Sequence, residues 1–242
     1  MYKGFYEFAN IKVEINSLYD YIHKMCRNYR IDDCKEIKYV INITEEDIRK
    51  EDIKSKEKDD TFFPDYYLET LAVYRKFLQY SYIDNVFLFH SSSFMIDGNA
   101  YIITAPSGTG KSTHARFLNE VYKDRFVTIN DDKPLIRFID GKFFVYGSPW
   151  NGKHGLDNNV SYPLKAIFVL KRAEEDRISK MNVGDAFNYI FSQVHKPTGI
   201  NEVKLIMNLL FKMANSIPCY LLEATNRIEA TNASRKVIDN KD

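Results

Sequence analysis

With 242 residues, 45% of them hydrophobic, the chain is long enough for one large domain or two small ones around a sizeable core. Its 34 Lys and Arg against 33 Asp and Glu leave a net charge of +1, which excludes the strong field of a nucleic-acid or anionic-membrane binder and sends the search for partners to local sites. Cys26, Cys34 and Cys219 lack CxxC spacing and read as reduced thiols, not as a disulfide framework or a zinc site. There is no N-terminal apolar signal region and no apolar run near the roughly 18 residues of a membrane span, so a cytoplasmic protein is expected.

In chain order, residues 6–15 alternate like a strand, 17–29 have helical spacing and 39–43 form a short β-rich run. The charged stretch 45–60 predicts a solvated helix or loop. Residues 64–80, with Pro64 in the first turn and apolar residues recurring at three and four, predict a helix. From Asn85 the texture changes to β-rich segments: 86–97, a Gly98-Asn99 turn, then AYIIT running into a glycine loop. A helix over 111–122, a strand over 125–130 and a hairpin about Asp140-Gly141 follow. A strand over 164–170, helices near 185–194 and 201–216, a strand over 218–222 and a helix from about Arg227 complete the chain. The pattern predicts a small α+β lobe over 1–84 and, over 85–242, an α/β P-loop kinase core whose mixed β-sheet is flanked by helices.

The chemistry is carried by Ala105-Pro106-Ser107-Gly108-Thr109-Gly110-Lys111-Ser112. In a P-loop, backbone N–H groups at a helix N-terminus cradle phosphate oxygens, Lys reaches the β/γ-phosphates and Ser or Thr supplies a hydroxyl to Mg²⁺. Ala105 stands where the first glycine is usual, but the required strand precedes the loop and the required helix, beginning Lys111-Ser112-Thr113, follows it. Residues 106–113 are therefore the expected phosphate cradle for ATP or another nucleotide, with Ser112 on Mg²⁺.

Asn130-Asp131-Asp132 ends a β-rich strand soon after this helix. Two neighbouring carboxylates on an extended chain point opposite ways, so one is expected to face Mg²⁺ and the other the acceptor or solvent. His90, on the strand before the hairpin, could orient the acidic base. Gly147-Ser148-Pro149-Trp150-Asn151-Gly152-Lys153-His154 is a glycine-bounded loop after a strand end, and Trp150 and Lys153 could close over phosphates or acceptor.

The order of His90, the hairpin, residues 105–112 and Asn130-Asp131-Asp132 resembles the HPr kinase/phosphorylase and phosphoenolpyruvate carboxykinase superfamily. The strings APSGTGKSTH, NDDKP and GSPWNGK are similar to those of small HPr kinase-like proteins of bacterial genomes, a likeness that covers most of the chain. The resemblance implies phosphate contact by Lys111, Mg²⁺ at Ser112 and Asp132, and Asp131 as base oriented by His90. It implies a hydroxyl acceptor, such as serine of a peptide or protein, or a small metabolite. The glutamate-arginine-glycine signature of true HPr kinases is missing, which argues against HPr as the acceptor. At about half the expected length, carboxykinase activity is not expected either. The competing reading is a nucleotide-binding sensor with little turnover; the sequence leaves oligomeric state open.

Overall fold

The computed structural model describes residues 1–32, 35–59, 62–152, 155–197 and 199–240. It divides into two units, Met1–Asp84 and Asn85–Asp242.

In the first unit the expected single strand is two, β1 (Tyr2–Phe8) and β2 (Ile11–Ser17), paired antiparallel. The turn between them is Ala9-Asn10, with φ of 49° and 59°. Such left-handed pairs match the twist of a two-residue hairpin, although Ala is not a usual residue there. β3 (Tyr39–Asn42) joins β2 in parallel. The helical spacing of 17–29 yields only α1 (Tyr21–Met25) and a 3-10 turn, Arg27–Tyr29. The charged stretch forms α2 (Glu45–Asp59), followed by α3 (Asp65–Ser81) with Pro64 as its N-cap. α2 is solvated on one side only: Glu51, 4% exposed, pairs with Arg75 of α3 at 2.6 Å, and Asp47 pairs with Lys76 at 2.6 Å. α3 in turn buries Leu68, Val73 and Phe77, the last edge-on to Phe8 at 5.3 Å.

The second unit holds a curled mixed sheet flanked by helices. Residues 86–96 break into β4 (Val86–Leu88) and β5 (Ser92–Ile96), which pair with different neighbours. β5 lies between β6 (Asn99–Thr104) and β7 (Phe126–Asn130), antiparallel to both, so β6 and β7 run parallel. β8 (Leu135–Ile139) and β9 (Lys142–Tyr146) form the Asp140-Gly141 hairpin. β10 is longer than its apolar run predicts, Ser161–Arg172: its start pairs with β9, its middle runs parallel to β6, and its end runs parallel to β12 (Cys219–Ala224). The edge strand β11 (Arg177–Lys180), not predicted, pairs with β12. Helix α4 (Lys111–Tyr122) lies on one face with α7 (Thr231–Ile238), while α5 (Val183–Gln193) and α6 (Ile200–Ser216) pack on each other.

The core under α4 and α7 gathers Phe94, Tyr101, Ile103, Leu118, Phe168 and Leu222, with stacked rings at 5.0 to 6.2 Å. His114 of α4 is 3% exposed and its Nε2 lies 3.0 Å from Ser234 Oγ of α7. Ser234 Oγ donates to Thr231 O, so it accepts from Nε2. Burial draws the His114 imidazole down to about 4 from its ordinary 6.5, against the opposing pull of Asp176. Below pH 6.5 the unfolded chain therefore takes a proton that the folded chain refuses until about pH 4, and stability falls across that window by up to about 3 kcal/mol. Urea midpoints measured from pH 7 to 4 should fall more steeply for the native chain than for His114→Gln; equal slopes would refute this role.

Candidate active site

β6, β7, β10 and β12 run parallel and end on one edge of the sheet, where ligands of open α/β sheets gather. β6 leads into residues 105–110 and α4. Gly108 and Gly110 have φ of 76° and 116°, and a Cβ at either would meet nothing within 4 Å. Backbone conformation, not space, demands glycine there. Pro106, Ser107 and Gly108 are exposed and Thr109 and Gly110 half-buried, with Thr109 N donating to Pro106 O. Lys111 is 8% exposed and folds back over the loop, its Nζ donating to Ala105 O at 2.9 Å and Pro106 O at 3.4 Å. Burial lowers its pKa and the Asp132 charge opposes that shift. Ser112 and Thr113 stand half-buried in the first turn of α4.

At the end of β7, Asn130 is fully buried and turns the chain. Its Oδ1 accepts from the N–H groups of Asp132 at 2.8 Å and Lys133 at 2.6 Å, while its Nδ2 donates to Ser148 O at 2.9 Å. This Asx turn separates the two aspartates. Asp131, 6% exposed, points to the 147–157 segment: its N–H donates to Leu156 O and its Oδ1 accepts from Gly152 N–H at 2.6 Å. A Cβ on Gly152 would come within 3.1 Å of that carboxylate, which would have to give way by a few tenths of an ångström. Asp132 points the other way, to His90 Nε2 at 3.3 Å and to the Lys133 ammonium. Burial alone would raise its pKa, but the His90 bond and the Lys133 charge outweigh it and hold the carboxyl at about 2.

The expectation that His90 orients Asp131 is therefore corrected: His90 pairs with Asp132. The physical reason is the break between β4 and β5. Ser91 N–H donates to Asp132 O, Phe89 N–H to Pro134 O, and Thr104 Oγ1 to His90 O, which sets His90 beside the second aspartate. The far ring nitrogen, Nδ1, lies 3.3 Å from Gln193 Oε1 of α5.

The 147–152 segment is pinned. Ser148 Oγ donates to Lys133 O at 2.6 Å, and Trp150, whose carbonyl lies 3.5 Å from Asn130 Nδ2, is 3% exposed. Trp150 is packed into the protein, in contrast to the exposed ring a closing lid would carry. Lys153 lies outside the described residues, as do His154 and Cys34. Cys26 and Cys219 are buried, and burial pushes the Cys219 thiol up to about 12.

Two residues of this edge carried no sequence signal. Gln193 reaches His90 from α5, and Arg172, at the end of β10, donates to Thr109 O at 3.0 Å and Gly108 O at 2.7 Å. In register, Val169 faces Thr104, so Arg172 runs on past the end of β6 to lie beside the loop. Among the described residues no group of three or more carboxylate, imidazole or thiol side chains converges on a metal position. The donor set at this edge, the Ser112 hydroxyl and one ionised carboxylate, suits a Mg²⁺ that keeps waters and shares a nucleotide's phosphate oxygens, and does not suit an all-protein cage.

The family described as SynChlorMet cassette protein ScmC matches residues 52–228. The chain belongs to that family. Among curated proteins none matches the chain. A solved structure, the HPr(Ser) kinase/phosphatase from Coxiella burnetii, is similar at 12% identity and a TM-score of 0.36, over 63% of this chain and 99% of that one. A likeness at that level says nothing of individual residues. No helix among the described residues is long and apolar enough to cross a membrane.

Proposed function

We propose that the chain is a Mg²⁺-dependent phosphotransferase that moves a nucleotide phosphoryl group to a hydroxyl, on serine of a peptide or protein or on a small metabolite. The observation that carries this reading is the placing of Lys111, under the charge of Asp132, at the edge where the His90–Asp132 pair lies. Phosphoryl transfer needs mostly positioning and charge, which such a set supplies. Residues 106–113 would hold the phosphates, Ser112 and Asp132 the metal. Bound Mg²⁺ would neutralise charge on the transferring group.

The proposal keeps Asp132 on the metal and relieves Asp131 of the part of base. Asp132 and His90 face the reacting side, where an acceptor hydroxyl could give up its proton to one of them. Asp131 instead holds Gly152 through its backbone N–H. A carboxylate ionised down to about pH 2 is a weak base but a constant negative charge, and that suits the metal side of the site. The alternative, a sensor that binds Mg-nucleotide without turnover, would use the same carboxylate, so dependence on an acceptor is what separates the two readings.

Release of ADP from Mg-ATP, measured with a serine-containing peptide panel, with free serine and with no acceptor, tests the reading. Turnover that depends on an acceptor is expected. Tight nucleotide binding with no turnover for any hydroxyl would favour the sensor.

A further inference from the structure

Asp132 and His90 lie on the β5–β7 side of the P-loop, and that fixes the direction of the nucleotide. With the terminal phosphate turned toward them, the rest of the molecule must lead away on the other side, over the ends of β10 and β12. A cleft of about 480 Å³ lies there, between residues 106–109, the end of β10 and Tyr189 of α5. Ligand pockets run from about 300 to 1,000 Å³, so the volume suits a nucleoside. On the far side of Arg172, next to Thr225 and Asn226, the recess measures about 20 Å³. That holds little more than one water and no ring.

We infer that the cleft between the P-loop and α5 takes the base and ribose of the nucleotide. The inference rests on the phosphate-binding reading above and adds to it where the nucleoside lies and how it is recognised. Val169 and Leu221, partners in register, give apolar walls, the Tyr189 ring gives a stacking surface, and the Arg172 guanidinium, held by Gly108 O and Thr109 O, gives a second planar group at the rim. Tyr189 and Gln193 stand four apart on α5, on one face of that helix. The same face therefore serves the base end of the site through Tyr189 and the His90 end through Gln193.

Among the described residues, the lining of the cleft contains no Asp, Glu, Asn or Gln side chain. Discrimination between bases comes from hydrogen bonds that the wrong base leaves unmade, and here the lining offers the hydroxyls of Ser107, Thr109 and Tyr189, which donate or accept alike, in place of the carboxylate or amide of a selective site. ATP and GTP should thus bind within about tenfold of each other, while a ligand with no base binds through the P-loop alone.

The test compares Mg-ATP, Mg-GTP and inorganic tripolyphosphate on the native chain and on Tyr189→Ala, by calorimetry. Base–aromatic stacking is worth about 1–3 kcal/mol, so Tyr189→Ala should weaken ATP and GTP about 5- to 100-fold and leave tripolyphosphate unchanged. Retained tripolyphosphate binding also reports that the variant is folded. If tripolyphosphate binds and ATP affinity is unaltered by Tyr189→Ala, the subsite is wrong while the P-loop reading stands. If the native chain binds neither ATP nor tripolyphosphate, both fall together. Photo-labelling of the native chain with 8-azido-ATP gives a second measure: label within residues 169–189 is expected, and label on Thr225 or Asn226 would overturn the assignment.

Discussion

Replacing Lys111 with Met should weaken Mg-nucleotide binding by about 10- to 100-fold, the loss expected for one charge-assisted hydrogen bond to phosphate. Met keeps the length and apolar stem of the side chain and removes only the ammonium. In the structure that ammonium rests on Ala105 O and Pro106 O, contacts it would exchange for phosphate oxygens. The substitution therefore also leaves the buried end of β6 without its donor, and a fall of about 1 kcal/mol in stability is expected alongside the lost affinity. Calorimetric titration with Mg-ATP, together with thermal unfolding of the same samples, separates the two effects. An unchanged dissociation constant for Mg-nucleotide would remove the phosphate site, and with it the phosphotransferase reading.

What the sequence made legible here was local. The Asp140-Gly141 turn has φ above zero at both positions, and a dipeptide that tolerates this announces itself, whereas the turn before β6 falls at Asp97-Gly98, one residue ahead of the Gly98-Asn99 pair read from the sequence. Helix α4 follows from Gly110 before it and from apolar residues at Ala115, Leu118 and Tyr122 on one face. The turn at Ala9-Asn10 was hidden because alanine carries no such signal, and so two strands read as one. Residues 86–96 read as one strand because every position but His90 and Met95 is buried, and no periodicity marks the point where pairing passes from β8 to β6. The partners that finish the site are distant in sequence: His90 and Gln193 lie 103 residues apart, Gly108 and Arg172 lie 64 apart. Pairings of that kind are set by sheet order, which the residues themselves do not display. The two aspartates were legible as a pair, but which one meets His90 depends on the Asn130 turn, and side-chain alternation alone gives only that they differ.

That turn leads to the sharpest separation between variants. Asp132→Asn keeps the size and the hydrogen-bonding oxygen of the side chain and removes the negative charge that His90 and Lys133 hold in place. Turnover should fall by about 10²- to 10³-fold, the range for losing one group that stabilises the charge of the transition state, and the Mg²⁺ concentration giving half-maximal rate should rise. Asp131→Asn also keeps an oxygen that can accept from Gly152 N–H, so Gly152 stays held and turnover should remain within a few-fold of native. Asp131→Ala removes that acceptor, and its expected defect is a lower unfolding temperature with Mg²⁺ dependence intact. Steady-state ADP release across a Mg²⁺ titration, with unfolding temperatures for all three variants, distinguishes these outcomes. Loss of turnover in Asp131→Asn with near-native Asp132→Asn would return the base to Asp131, as the resemblance to HPr kinases implies, and would require the segment at Gly152 to release it when substrates bind. Native turnover in both asparagine variants would leave the His90–Asp132 pair without a part in the reaction.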